Sequence, residues 1–176
     1  MSSPITISPL SAAEASDHLA ELGALLHACV HNGASIGFVL PFSVAEAEAY
    51  WRKKVQPRVQ DGCVVLLVAR MDGRIVGSVQ LDYDTPPNQP HRAEVRKLLV
   101  HPDCRRQRIG KALMAAIERR AAELGRSLLT LDTRTGDHAE PLYAALGYRT
   151  AGIIPGYCRD PFESKLDPTT VMYKAL

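Results

Sequence analysis

Apolar residues recur at the spacing of an amphipathic helix in four segments of the chain. These predicted helices cover residues 11–29, 43–55, 109–124 and 137–146. The first two begin with the pattern Ser-x-x-Glu, at Ser11 and Ser43, which is typical of a capping box. Asp137 and Glu140 have the same spacing, so we expect a capping box at the start of the fourth helix as well.

Strand-like segments separate these helices. Residues 63–69 form an almost unbroken apolar run. An Asp-Gly turn and a second run, residues 75–83, follow it, and this pattern predicts a hairpin. Seven strands are predicted in all, at residues 5–7, 63–69, 75–83, 93–100, 128–131, 148–153 and 170–174. The order β-α-α-β-β-β-α-β-α-β-β, with a parallel βαβ unit over residues 93–131, predicts an α/β (α+β) fold. We expect one domain, residues 1–176, with a mixed, mostly antiparallel sheet flanked by helices on both faces.

The composition argues against several classes of protein. The chain is 46% hydrophobic and 23% charged, as globular proteins are, and no apolar run approaches the roughly 18 residues of a membrane span. The N-terminus lacks the pattern of a signal peptide, so a cytoplasmic location without a membrane partner is expected. Twenty-one Lys and Arg against 19 Asp and Glu do not indicate a nucleic-acid-binding protein. The four cysteines form no CxxC pair, so no metal site is expected.

The segment between the predicted strand 93–100 and the helix 109–124 is rich in cations. It contains Arg105, Arg106, Gln107, Arg108, Ile109, Gly110 and Lys111. Free N–H groups at the start of a helix, together with the positive end of its dipole, form a site for an anion such as a phosphate. The alternative is the solvated charged face of an ordinary crossover helix. The spacing is that of neither a Walker A loop nor a Rossmann loop.

The stretch His-Pro-x-x-Arg-x-x-x-Ile-Gly-x-x-Leu over residues 101–113 resembles motif A, Q/R-x-x-G-x-G/A, of the GCN5-related N-acetyltransferases (GNAT). In this alignment Arg105 takes the first position, Gly110 is the second glycine, and Arg108 replaces the first glycine. A shifted alignment on Gln107, Gly110 and Ala112 also satisfies the pattern, but the first keeps the distance from strand to turn. Leu-Tyr-Ala-Ala-Leu-Gly-Tyr at residues 142–148 resembles the FYxxLGF segment of the same family.

Four further stretches resemble the tabtoxin-resistance subgroup of that family, at residues 80–82, 92–95, 131–133 and 155–158. The resemblance implies acetyl-CoA as cosubstrate, no metal, and acetyl transfer to the primary amine of a small molecule or amino acid, a tabtoxin-like toxin among them. It also implies that residues 105–111 hold the pyrophosphate of acetyl-CoA. The backbone of Leu98, Leu99 and Val100, in a strand that splays from its neighbour, would then hold the thioester oxygen and the pantetheine arm.

Three side chains are candidates for proton transfer, on both resemblance and position. Glu94 and Asp132 are the candidate bases, acting directly or through water, and Tyr143 is the candidate acid for the departing thiolate. The alternatives are an ion pair of Glu94 with Arg92 or Arg96, a turn position for Asp132 and a core position for Tyr143.

The acceptor pocket and the partners are less defined by the sequence. Candidate lining residues are His31, Ser35, Phe38, Trp51, Asp82 and Asp84, although a core position is the favoured interpretation for Trp51. The two acids would favour a cationic amine. The rival functions are a non-catalytic acyl-CoA sensor of the same fold and a nucleic-acid-binding protein. The sequence leaves open whether the chain forms a homodimer.

Overall fold

The computed structural model describes residues 4–176. Residues 1–3, on which part of the signal-peptide argument rests, lie outside the described residues. The strands are β1 (Ile5–Pro9), β2 (Val64–Met71), β3 (Arg74–Asp82), β4 (Arg92–Val100), β5 (Leu128–Arg134), β6 (Arg149–Arg159) and β7 (Leu166–Ala175). The α-helices are α1 (Ala12–Asp17), α2 (Leu19–His31), α3 (Val44–Tyr50), α4 (Gln56–Gln60), α5 (Ile109–Glu123) and α6 (Ala139–Ala145). A π-helical turn, Trp51–Val55, joins α3 to α4.

The strands form one seven-stranded sheet in the order β1-β2-β3-β4-β5-β7-β6. Among the strands within residues 4–176, only β4 and β5 are parallel neighbours, and every other pair is antiparallel. The predicted fold class and the βαβ unit are therefore confirmed. Alternate side chains of the strands enter two cores, one against α5 and one against α2 and α3. Within residues 4–176, no helix is long and apolar enough to cross a membrane.

The helix starts test the sequence rules one by one. Ser11 and Ser43 form the predicted capping boxes with Glu14 and Glu46. The capping box predicted at Asp137 is wrong, because α6 begins two residues later without a side-chain cap. An ion pair with Arg134 (3.3 Å) holds one carboxylate oxygen of Asp137 in the preceding turn, and the other accepts the N–H of residue 138.

Three predicted boundaries also differ from the structure. The predicted helix 11–29 is divided at His18 into α1 and α2. The last two strands are longer than predicted, since β6 continues through Pro155 and β7 begins before Pro168. A proline is tolerated in β6 because this strand lies at the edge of the sheet, and its register shifts between Ile154 and Cys158.

Candidate active site

The parallel strands β4 and β5 separate halfway along their length. They pair only from Arg92 to Glu94 on β4 and from Leu128 to Thr130 on β5, yet both strands continue for several residues beyond. Lys97 has a φ of +50° at the point where the register between β3 and β4 shifts. The irregular backbone at Lys97 and the end of pairing with β5 together leave an opening beside the last residues of β4.

The backbone of β4 presents alternate N–H groups to this opening. The N–H of His101 donates to the carbonyl of Val76 on β3 (2.8 Å), so the N–H of Leu99 also faces β3. The N–H groups of Leu98 and Val100 therefore point away from β3, toward the opening. Of the three candidate backbone positions, Leu98 and Val100 are turned to a ligand in the opening, whereas Leu99 is turned to the sheet.

The cationic turn leads directly into α5. Arg108 precedes the helix in a left-handed conformation (φ +63°), and no side chain caps the first turn. The first N–H groups of α5 accordingly lack a partner inside the helix. The left-handed region favours glycine, which explains why motif A has a glycine where this chain has Arg108. This geometry favours the alignment that begins at Arg105 over the shifted one.

The side chains around this turn differ in their partners. Arg105 donates to the Asn32 side chain (2.5 Å), at the end of α2. Arg106, Gln107, Arg108 and Lys111 are exposed. A Cβ placed on Gly110 would lie 3.3 Å from Leu142 Cδ2 and 3.8 Å from Val100 Cγ2. Strand β4 and helix α6 therefore both approach the start of α5, and the opening adjoins the uncapped N–H groups.

Glu94 and Asp132 project from the same face of the sheet. Their strand neighbours Ala93, Val95 and Leu131 are buried in the core against α5, so the two carboxylates face the other side, toward α2–α4. The Glu94 carboxylate lies 4.0 Å from Arg96 Nε, a loose form of one of the ion pairs considered above. Asp132 accepts a hydrogen bond from the buried Thr169 hydroxyl (3.1 Å).

Tyr143 lies on the opposite face, in the core against α5, with only 6% of the residue exposed. No hydrogen bond to its hydroxyl forms within residues 4–176, and this oxygen is not fully enclosed, in contrast to the Tyr148 hydroxyl. Burial raises the pKa of the Tyr143 phenol, and the negative charges of Asp132 and Asp137 raise it further. Tyr143 therefore packs in the core and also keeps a protonated hydroxyl.

A cavity of about 400 Å³ lies on the carboxylate side of the sheet. Its lining residues come from the loop before α3, from α3–α4 and from three strands: Ile36, Gly37, Phe38, Tyr50, Lys54, Arg58, Val64, Gln80, Arg96 and Lys97. Of the predicted acceptor residues only Phe38 is among them. Trp51 is buried and donates to the carbonyl of Leu22 (2.8 Å), which is the core position that the sequence favoured.

The remaining acceptor candidates have other partners. The Asp82 carboxylate accepts from Arg58 (2.6 and 3.0 Å) and from Arg96 (3.0 Å), so it is not free to bind an amine. Asp84 lines a separate shallow pocket. The His31 ring contacts the carbonyl of Phe42 (2.8 Å), and the Ser35 hydroxyl contacts Cys158 Sγ (3.4 Å).

Sequence reasoning missed the four basic residues of the cavity. One signal was available, since Arg92, Glu94 and Arg96 alternate with buried Ala93 and Val95 and so mark the polar face of β4. No comparable signal existed for Lys54 and Arg58, whose direction depends on the π-helical turn before α4.

Comparison with known proteins identifies the family. The family model described as "Acetyltransferase (GNAT) family" matches residues 40–148, more than half of the chain and including the cationic turn and α6. The chain belongs to the GNAT family of acetyltransferases. An Azospirillum brasilense protein, named as an uncharacterized N-acetyltransferase in the hisH-hisA intergenic region, is 31% identical over 114 residues. That alignment covers 64% of this chain and 66% of the relative, just under two thirds of its length.

Solved structures share the GNAT fold over nearly the whole chain. The ribosomal-protein-alanine N-acetyltransferase of Brucella melitensis has a TM-score of 0.78 at 21% identity and covers 97% of this chain and 99% of its own. A Salmonella typhimurium protein, provisionally named an acetyltransferase and solved with its cofactor acetyl-CoA, has a TM-score of 0.78 at 17% identity, covering 98% and 94%. At these identities the likeness shows the fold alone.

Proposed function

We propose that this protein transfers an acetyl group directly from acetyl-CoA to the primary amine of a small molecule or amino acid. The observation that carries the proposal is the opening between β4 and β5, which has two carboxylates on one face of the sheet and Tyr143 on the other. A thioester placed in that opening would have a base and an acid on opposite sides.

The residues at the opening fit acetyl-CoA. The unpaired N–H groups at the start of α5 would hold the pyrophosphate, and the exposed cations of residues 105–111 would surround it. The N–H groups of Leu98 and Val100 would bind the pantetheine arm and the thioester oxygen, whose negative charge grows as the amine attacks.

The reaction requires three proton movements, two from the acceptor nitrogen and one to the departing sulfur. Glu94 or Asp132, directly or through a water, takes a proton from the acceptor ammonium, and the neutral nitrogen attacks the thioester carbon. A C–N bond forms, the C–S bond breaks, and Tyr143 gives its proton to the departing thiolate. The acylated nitrogen then loses its second proton, which returns through water to the Tyr143 phenolate. The phenol of Tyr143 is protonated at neutral pH, as a phenol with the ordinary pKa of about 10 also is, and its raised pKa makes it a weaker acid toward the thiolate.

The nature of the acceptor is the finer part of the proposal. A cavity of about 400 Å³ lies at the small end of the range for ligand sites, which supports an acceptor of amino-acid size. The resemblance of residues 80–82, 92–95, 131–133 and 155–158 to the tabtoxin-resistance subgroup supports a toxin derived from an amino acid as one such acceptor.

Thiol release from acetyl-CoA tests the function, with amino acids, polyamines, aminoglycosides and peptide N-termini as acceptors. We expect acceptor-dependent release by the wild type. Gly110→Asp should weaken coenzyme A binding by about 2–4 kcal/mol, because it places a negative charge at the phosphate site. Gly110→Ala adds the same Cβ without the charge and is the matched control. Tight coenzyme A binding without thiol release for any amine would identify the acyl-CoA sensor instead.

A further inference from the structure

The cavity beside the candidate bases is basic. Lys54, Arg58, Arg96 and Lys97 line it, and within residues 4–176 no Asp or Glu is among its lining residues. Its floor is the face of the sheet that carries Glu94. On this face Val64 pairs with Asp82, and Asp82 pairs with Glu94. Two residues along the strands, Leu66 pairs with Gln80, and Gln80 pairs with Arg96. The cavity therefore lies on the same face of the sheet as the candidate bases, and its lining residue Arg96 is 4.0 Å from the Glu94 carboxylate.

Asp82 organises these cations without filling the cavity. It is 8% exposed and lies beneath the lining, where it accepts both ends of the Arg58 guanidinium and one end of Arg96. The pairing fixes two guanidinium groups at the cavity wall. Arg58 also donates to Asp84 (3.4 Å), and each group keeps further N–H donors, since a guanidinium has five.

Lys97 supplies the second observation. Its side chain is half-buried, and within residues 4–176 it has neither a hydrogen bond nor a carboxylate within 4.0 Å. Its ammonium instead lies 5.8 Å and 6.0 Å from the ring centres of Phe38 and Tyr50, and 3.5 Å from a Cβ placed on Gly37. Asp132 and Glu94 attract this ammonium only from beyond 4.0 Å, so it is half-buried without a direct ion pair, and an anion in the cavity would supply one.

We infer that the acceptor amine also carries an oxyanion, a carboxylate or a phosphonate, and that Lys54, Arg58, Arg96 and Lys97 bind this group. The inference rests on the proposed acetyl transfer and names its substrate class. The acceptor lies with its anionic end among the four cations and its ammonium end toward Glu94, so each end meets the opposite charge. Polyamines and aminoglycosides, which carry only positive charge, are poor acceptors.

Matched acceptors test the substrate class. Amino acids, their α-carboxamides, in which an amide replaces the α-carboxylate, and the corresponding α-aminophosphonates are compared by thiol release at saturating acetyl-CoA. We expect kcat/KM to be about 10- to 100-fold higher for the oxyanions than for the carboxamides, since charge-assisted hydrogen bonds are lost in the amide. The carboxylate and phosphonate arms show which oxyanion the cavity prefers.

Neighbouring lysines give a matched pair of variants. Lys54→Gln should raise KM for the anionic acceptor several-fold. It should change neither kcat, nor kcat/KM for the carboxamide, nor the affinity for coenzyme A. Lys53→Gln removes an exposed charge from the adjacent residue, outside the cavity lining, and should change none of these. Lys97→Met should raise the same KM by about tenfold or more, and Lys97→Arg should restore most of it.

The outcomes separate the inference from the function beneath it. Efficient acetylation of carboxamides or polyamines, with no preference for the oxyanion, overturns the inference and leaves acetyl transfer intact. Glutarate, an amine-free dicarboxylate, should bind the protein in calorimetry, and Lys97→Met should weaken this binding. If glutarate binds but no amine is acetylated, the proposed function is overturned and the anion site stands. If glutarate does not bind and oxyanions are not preferred, the anion site is overturned.

Discussion

At the scale of single residues, two neighbouring tyrosines allow a direct test of the proposed acid. Tyr143 and Tyr148 are both buried, with ring centres 5.8 Å apart. The Tyr148 hydroxyl is fully enclosed beside the Glu118 carboxylate, whereas that of Tyr143 is not enclosed. Only Tyr143 can therefore reach a ligand in the opening.

Tyr143→Phe keeps the ring and removes the proton donor. We expect kcat to fall by about 10²-fold or more while acetyl-CoA affinity barely changes, because the lost interaction exists only in the transition state. Tyr148→Phe should leave turnover unchanged. The measurement is thiol release at saturating acetyl-CoA, with a thermal melt to show that both variants fold. A folded Tyr143→Phe variant with more than half the wild-type kcat would exclude the acid role.

The carboxylates make a second prediction, on pH. If Glu94 or Asp132 takes the proton of the acceptor amine, kcat/KM should rise with pH along a limb that Glu94→Gln or Asp132→Asn alters. The loss in rate should be about 10²–10⁴-fold for the residue that acts as base. Glu123→Gln, a change in an exposed residue near the end of α5, is the control. An unaltered rate and pH profile in the double variant would mean that bulk water takes the proton.

At the scale of elements, the turn before α5 combines an unfavourable backbone with a useful side chain. Arg108 has φ +63°, a conformation that costs an L-residue roughly 1–2 kcal/mol. The Arg108 side chain forms no ion pair within residues 4–176, and it is exposed next to the proposed phosphate site. The family's glycine would adopt the same backbone without strain.

Arg108→Gly should therefore change stability and binding in opposite directions. Removing the strain should raise Tm by about 2–4 °C, the equivalent of roughly 1 kcal/mol in a chain of this size. Removing the cation should weaken coenzyme A binding several-fold, and more at low salt than at high salt. Differential scanning calorimetry and coenzyme A titration measure the two effects. A more stable variant with unchanged coenzyme A affinity would show that Arg108 does not contact the phosphates.

Local sequence rules predicted the elements but not the site that they build. The capping boxes at Ser11 and Ser43 need only residues three apart, and the βαβ unit needs only a helical and a strand period. The opening depends on an irregular backbone at Lys97 and on the end of pairing at Glu94, neither of which has a pattern in the sequence. Asp82 was expected to attract a cationic amine, but arginines distant in sequence, Arg58 and Arg96, neutralise it.

At the scale of the whole molecule, the sheet separates two binding regions. The proposed coenzyme A site lies at the start of α5, whereas the basic cavity lies on the α3–α4 side. Each face of the sheet has its own hydrophobic core, and β4 and β5 stop pairing at Glu94 and Thr130. Stability on the acceptor side depends on contacts that join α2 to the sheet.

Glu21 forms one such contact, and it links stability to pH. Its carboxylate on α2 accepts the N–H of Ile75 on β3 (3.0 Å). That hydrogen bond lowers the pKa of Glu21, and His18 and Arg70 lower it further, against an opposing effect of burial. A carboxyl whose pKa is lower in the folded protein stabilises it above the ordinary pKa of about 4.5, and this contribution disappears as the pH falls through the folded-state pKa.

Glu21→Gln should consequently lower Tm by about 2–4 °C at pH 7, the effect of losing roughly 1 kcal/mol from one hydrogen bond to a charged group. The difference from the wild type should shrink as the pH falls below 4.5, because the wild-type carboxyl then becomes protonated as well. Glu163→Gln, an exposed change in the loop between β6 and β7, is the control and should leave Tm at pH 7 nearly unchanged. Thermal melts from pH 7 to pH 3 make the comparison. A constant Tm difference across that range would show that the Glu21 charge does not contribute.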